Sequence, residues 1–352
     1  MRILEVSRYK NNFADHQLPF VTEQGEAIAK VLRDMQNDKM SRDKSLNEPL
    51  SLNDEPLVDY FLVKGNYVKA VGALKRKIYE FKPDIVHAHF GSSAITAELQ
   101  SLVPVVTTFH NGETLNWHVN LMSSLMSLRA KHVIYVAQHI RDLSYFKARQ
   151  YSIIPCGVPM EQMTIVPQAE ARRQLEWDPN KKYILFGGAF SNERKNYALL
   201  KQAVDIINSN PSSVNPLIPS PITCVEMKGL SRAECVLCMN ACDLFALPSH
   251  SEGSPQALKE AMAVNCPCLA TDIADVKYLF GDEPGHWILR NPRKTHERWD
   301  ADEKSLDEMV ELLRETLAFK GRTHGRERIL ALELSNEQVA RRIVKIYEDI
   351  LH

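Results

Sequence analysis

The stretch that decides the fold is LCMNACDLFALPSHSEGSPQALKEAMAVNCPCLATD, residues 237–272. Its first residues close a helical pattern over 231–241, and a short apolar run at 243–247 follows. A polar loop leads into a second helical pattern at 255–264, and another apolar run lies at 268–271. Apolar strands without polar alternation, separated by helices, indicate parallel strands buried on both faces. The same grammar extends in both directions. Strands are expected at 2–6, 57–63, 84–88, 104–108, 132–136, 151–154, 183–188 and 222–227. Helical stretches are expected at 21–35, 66–81, 92–101, 138–148 and 196–208, and near 303–318 and 336–351. The polar segment 36–56 reads as a loop. Segment 153–170, IIPCGVPMEQMTIVPQAE, holds three prolines and a glycine between periodic stretches and reads as a linker. The expectation is an α/β chain of two doubly wound units, 1–165 and 166–335. Ligands of such sheets bind beyond the carboxyl ends of the strands, so a shared cleft is expected.

Length and composition agree with this. The 352 residues suffice for about two domains. With 44% hydrophobic and 25% charged residues, a disordered chain or a small disulfide scaffold is excluded. The net charge of -1 gives no overall attraction to nucleic acid. Residues 1–165 hold 19 basic and 17 acidic groups, so the balance differs little between halves. No apolar run is long enough for a membrane span, and the amino terminus lacks the pattern of a signal peptide, so a cytoplasmic protein is expected. The seven cysteines read as small buried hydrophobes rather than zinc ligands. No metal is expected. Neither G-x-G-x-x-G nor the P-loop pattern occurs, which disfavours a nicotinamide enzyme or a P-loop NTPase.

The chemistry concentrates at the strand ends. Ser254-Pro255 reads as a helix start with Ser254 as N-cap. Glu252 precedes that helix and Glu260 lies within it, about 7–8 Å beyond Pro255. A helix amino terminus accepts an anion, and carboxylates accept hydrogen bonds from hydroxyls. The order carboxylate, helix start, carboxylate suits a sugar, a diphosphate and a ribose. Arg194 and Lys195 follow strand 183–188, where they can face the same anion. In the first unit, His87 and His89 share one face of a strand, and His110, beside Asn111, Gly112 and Glu113, ends another. Helical residues 64–82 carry Lys64, Lys69, Lys75, Arg76, Lys77 and Lys82. That run suggests contact with anionic lipid, or simply a solvated face.

Together these segments resemble the family 4 retaining glycosyltransferases of GT-B fold. The residues that carry the likeness are IIPCGVP, GGAFSNERKNYALL, the 237–272 block with its E-x7-E pattern, and DIVHAHFG with VPVVTTFHNGE. SNEQVARRIVKIYEDIL is similar to the family's last helix, which implies that 336–352 crosses back to the first domain. The resemblance implies that Glu252 holds the donor sugar and Glu260 the ribose. Backbone groups around Gly253, Ser254, Pro255 and Gln256 would touch sugar and diphosphate. Arg194 and Lys195 would stabilise the leaving diphosphate, and His110 would approach the donor sugar. The implied donor is a UDP-sugar, with no cofactor or metal. The implied acceptor is a saccharide or lipid-linked molecule of capsule, O-antigen or exopolysaccharide synthesis, which suggests a peripheral membrane location. A non-catalytic nucleotide-binding scaffold, a GT-B epimerase and a phosphorylase are the alternatives. The chain departs from the family pattern at Ala189, around Asn265-Cys266-Pro267, and in lacking a glycine-rich loop after its first strand.

Overall fold

Strands covered on both faces need no polar alternation, and the first strand shows this: in β1 (Ile3–Arg8) only Arg8 is exposed. The computed structural model describes residues 1–9, 18–42, 56–111, 116–209, 221–290 and 303–352. It divides into two units, Met1–Gly157 with Leu334–His352, and Val158–Glu333. The first boundary falls inside the Pro-rich segment 153–170.

In the first unit β1 is followed by α1 (Pro19–Arg42), β2 (Val58–Val63), α2 (Val71–Phe81), β3 (Ile85–His89) and α3 (Gly91–Glu98). Then come β4 (Val105–Phe109), α4 (Trp117–Ser127), β5 (His132–Tyr135), α5 (Gln138–Leu143) and β6 (Tyr151–Ile153). All strand pairs are parallel, in the order β2-β1-β3-β4-β5-β6. The chain reverses direction across the sheet between β1 and β3, so their carboxyl ends form a switch point.

The second unit holds α6 (Gln168–Gln174), β7 (Lys182–Phe186), α7 (Tyr197–Ser209), β8 (Ile222–Glu226), α8 (Arg232–Ala241), β9 (Leu244–Leu247) and α9 (Gln256–Ala263). It continues with β10 (Cys268–Thr271), α10 (Val276–Phe280), β11 (His286–Leu289), α11 (Glu303–Ala318) and α12 (Gly325–Ala331). This sheet is also parallel, ordered β11-β10-β9-β7-β8, with its switch point between β7 and β9. Leu199, Leu200 and Ala203 of α7 pack on one side of it with Met309 and Leu313 of α11.

The last helix, α13 (Asn336–Leu351), belongs to the first unit. Ser335 and Gln338 close a capping box at its start. Val339, Ala340, Ile343, Val344 and Tyr347 form its buried stripe, and the helix packs on α1. A Cβ on Gly157 would lie 2.8 Å from the Asn336 backbone, so only glycine lets the two segments pass.

Three expectations are corrected. Residues 36–42 are the end of α1 rather than loop, because the helix runs past its buried residues Val21, Ile28, Val31 and Leu32 into solvent. The rest of that expected loop, 43–55, lies outside the described residues. Helix 138–148 stops at Leu143, where the Lys147 ammonium donates to the carbonyls of Arg141, Asp142 and Ser144. The helix expected over 66–81 begins only at Val71; its Leu74, Ile78 and Phe81 are buried in the unit, while Val68 and Tyr79 are exposed along with Lys64, Lys69, Arg76 and Lys82.

Candidate functional site

The switch point of the second unit gathers most of the expected residues. After β7 the chain reads Gly187-Gly188 and turns through a single 3-10 turn, Glu193–Lys195, closed by Asn196 in the left-handed region. A Cβ on Gly188 would sit 3.1 Å from Lys195 Cγ, so this glycine makes room for the lysine stem folding back over the strand end. The loop after β9 is tied to that turn where His250 N donates to the Arg194 carbonyl at 2.9 Å. Across this junction Lys195 Nζ donates to Glu252 Oε1 at 2.7 Å. Arg194 Nη1 lies 3.3 Å from Glu252 Oε2 and also donates to the Ser251 carbonyl. Burial acts to raise the Glu252 carboxyl, but Lys195 and Arg194 outweigh it and hold it below the usual carboxylate range. Glu252 is therefore a buried anion with two cations on it.

The start of α9 differs from expectation. Pro255, not Ser254, is the N-cap, and no side chain caps the helix. Ser254 Oγ instead donates to Asp275 Oδ2 at 2.6 Å and accepts from Lys259 Nζ at 3.1 Å. Lys259 is fully buried and Asp275 partly so. Burying an ammonium or a carboxylate is costly without a partner, so these two claim the Ser254 hydroxyl. The first-turn N–H groups of α9 are thus left without a side-chain cap, the condition for anion binding at a helix start. Gly253 and Pro255 are buried in the same loop, and Gln256 opens the helix.

Glu260 faces a residue that sequence reading missed. Arg232 Nη1, from the first position of α8, donates to Glu260 Oε1. Burial raises the Glu260 carboxyl, with Arg232 and Gln256 pulling against it. One signal existed: the Ser231–Glu234 capping box puts Arg232 in the first turn of a helix, where the dipole disfavours a cation.

His110 lies in the first unit, at the end of β4, where the structure joins it to a chain of buried groups. Glu5 Oε2 is 2.7 Å from His89 Nε2, His89 Nδ1 is 3.1 Å from His110 Nε2, and His110 Nδ1 is 3.6 Å from Cys156 Sγ. His87 contacts Tyr347 Oη at 2.6 Å and Thr108 Oγ1 at 2.7 Å. The His87 and His89 rings stack 4.5 Å apart, on the common strand face expected for them. Phe20 and Phe90 pack on the His110 ring, with centroids 4.9 and 4.7 Å away. Phe90 and Asn111 have φ of 70° and 100°, strained for residues with a side chain, and such strain gathers at functional sites. Gly112 and Glu113 lie outside the described residues.

Burial acts to raise the Glu5 carboxyl, and the His87 and His89 rings outweigh it, so Glu5 is an anion. Burial lowers His89 against the pull of Glu5 and keeps the ring neutral at pH 7. The protonation pattern follows. An anion accepts, so His89 donates its Nε2–H to Glu5 and accepts at Nδ1 from His110 Nε2–H. His110 Nδ1 then carries a lone pair.

Glu5, His87 and His89 are also the one group among the described residues whose ligand atoms lie close enough to share a metal ion. Each His ring nitrogen already has a protein partner, which makes the cluster a hydrogen-bonded relay. The cysteines are free thiols. Cys242 Sγ and Cys266 Sγ meet at 3.4 Å, both fully buried.

Both units match known families. Residues 48–162 match Glycosyltransferase Family 4, and residues 181–302 match Glycosyl transferases group 1. The chain belongs to the family 4 / group 1 glycosyltransferases and has their two-unit GT-B fold. Among its relatives is the teichuronic acid biosynthesis glycosyltransferase TuaC of Bacillus subtilis, 25% identical over 222 residues. Another is the D-inositol 3-phosphate glycosyltransferase of Segniliparus rotundus, 24% identical over 198 residues. These alignments cover 56% and 51% of the chain, and the chain spans 56% and 44% of those two relatives. Among solved structures, sucrose-phosphate synthase from Thermosynechococcus elongatus superposes with a TM-score of 0.68 at 16% identity, over 99% of both chains. Anabaena Alr3699/HepE, in complex with UDP and glucose, gives 0.69 at 14% identity, over 99% of this chain and 100% of that one.

Proposed function

We propose that the protein transfers a sugar, with retention of configuration, from a nucleotide-sugar donor, a UDP-sugar, to a saccharide or lipid-linked acceptor of a surface polysaccharide. The observation that carries this reading is the Lys195–Glu252–Arg194 cluster at the β7/β9 switch point, beside the uncapped start of α9. Arg194 and Lys195 leave Glu252 to neutralise the diphosphate, whose charge grows as the sugar departs. Glu252 then takes the sugar hydroxyls. The amides around Gly253, Ser254, Pro255 and Gln256 contact sugar and diphosphate. Glu260, carrying Arg232, receives the ribose. The crystallised HepE complexes with UDP, with UDP and glucose, and with UDP-glucose support a uridine donor, and the TuaC relative supports a polysaccharide acceptor.

His110 takes the role the family likeness gives it, approaching the donor sugar; its Nδ1, the nitrogen that the Glu5–His89 pair leaves as acceptor, contacts Cys156 Sγ at 3.6 Å and would exchange that thiol for the sugar. Glu5 and His89 are positioning residues for it. No side chain is assigned as a covalent nucleophile. Stabilising the leaving group by preorganised charge is the dominant contribution, each such donor being worth about 10²–10³-fold in rate.

A thermal-shift screen of UDP-, GDP- and ADP-sugars tests the reading, since a ligand of the native state raises its melting temperature. UDP-sugars should give the largest rise. No rise with any nucleotide would favour the scaffold alternative.

A further inference from the structure

Helix α4 is amphipathic in the reverse sense. Its buried positions are Asn120, Ser123, Ser124 and Ser127. Its apolar residues point outward: Trp117 is 58% exposed, Met122 44% and Leu125 41%, and Leu128 just beyond the helix is 44% exposed. The small buried side chains let α4 pack closely on α3. Nothing in that packing requires an apolar outer face, and water penalises one.

The patch continues past the helix. Asn120 Nδ2 donates to the Leu143 carbonyl at 2.8 Å and so holds the end of α5 beside α4. There Tyr145 and Phe146 are exposed as well. The surrounding charge is one-sided. Arg129, Lys131, Lys147 and Arg149 are exposed, and the one exposed acid between Asn116 and Gln150 is Asp142. Helix α3 packs against both α2 and α4, and α2 with its C-cap adds exposed Arg76 and Lys82 beside one exposed acid, Glu80. The forward crossovers from β2 to β5 all run one way, which puts these three helices on one face of the sheet.

We infer that α4 and the Tyr145-Phe146 segment form a docking surface for an anionic lipid bilayer, with the apolar side chains entering the interface and the basic residues meeting the headgroups. An apolar face rimmed by cations is the form that interfacial helices take, and Trp at the start of the apolar run suits the headgroup level. A second copy of the chain is the poorer occupant. A two-fold contact would set this basic rim against itself. The surface is independent of the donor site, and its test does not rely on catalysis.

The test is co-sedimentation of the full chain with phosphatidylcholine vesicles, with and without phosphatidylglycerol. The wild-type protein should pellet with the anionic vesicles, lose binding as salt rises, and stay in solution with phosphatidylcholine alone. Met122→Glu with Leu125→Glu, both at exposed positions, should weaken binding at least about tenfold, a change of about 1.4 kcal/mol, while the thermal transition is kept. Lys131→Glu with Arg149→Glu should weaken it as well, with the apolar face intact. Wild-type protein that ignores anionic vesicles would overturn the proposal, as would variants that bind like wild type. Sedimentation equilibrium showing a dimer that Leu125→Glu dissolves would assign the face to a second copy instead.

Discussion

Each unit buries a glutamate at its switch point and keeps it ionised by different means. Glu252 in the second unit is an anion because two cations touch it. Glu5 in the first unit sits on strand β1 with imidazole rings as its neighbours. A cation pair can be drawn away by a competing anion, so the Glu252 cluster can open for a diphosphate. A ring relay passes no charge to a ligand but fixes which nitrogen of the last ring accepts a hydrogen bond. The first arrangement is suited to binding charge and the second to orienting a hydrogen bond.

Breaking the cation pair should have the largest effect. Lys195→Ala should lower turnover by about 10²–10³-fold, read as kcat with saturating donor, while circular dichroism and cooperative melting remain. Wild-type turnover would remove Lys195 from the site. Glu5→Gln should lower turnover about 10–100-fold, the range for groups that orient another ligand or base. It should also change the ring nitrogen shifts of His110 in a long-range proton–nitrogen spectrum, because the acceptor that fixes the tautomer is no longer an anion. Reduced turnover with unchanged His110 shifts would mean Glu5 acts only on stability.

The two glutamates of the second unit should separate with pH. Glu252 has a depressed folded value, so its stabilisation is present above the ordinary carboxylate value of 4.5 and is lost as pH falls below it. Glu252→Gln should therefore cost about 2 kcal/mol at neutral pH, with the gap to wild type closing in acid. Glu260 has a raised value, so its contribution is fully present below 4.5 and is lost as pH rises through its folded value. Glu260→Gln should leave neutral-pH melting near wild type, and a large loss there would contradict the burial argument. The smallest effect is expected from Tyr347→Phe. It removes the Tyr347–His87 bond and should cost about 1 kcal/mol in chemical denaturation.

Much of this was legible in the chain, and the rest was hidden for physical reasons. Strand ends and the E-x7-E spacing are local, so Arg194, Lys195, Glu252 and Glu260 could be found by reading along the sequence. Arg232 and Asp275 act across sequence separations of 28 and 21 residues, and only packing reveals such partners. The Ser254 N-cap was a sound local expectation that lost to buried Lys259 and partly buried Asp275. Glu5 left a trace, one acid inside the apolar run Ile3–Val6, yet its partner His89 is 84 residues away. Helix α4 escaped because its inner face is polar, which defeats a search for apolar periodicity. Strand β11, four residues at a sheet edge, was too short to carry a pattern.

The central claim is that the β7/β9 switch point of the second unit binds a nucleotide-sugar through Arg194 and Lys195. Titration calorimetry of UDP into wild type and Lys195→Ala tests it most directly. Binding to wild type that weakens at least about tenfold in the variant is the predicted result. Equal affinity in the two proteins, or no binding to wild type, would contradict it.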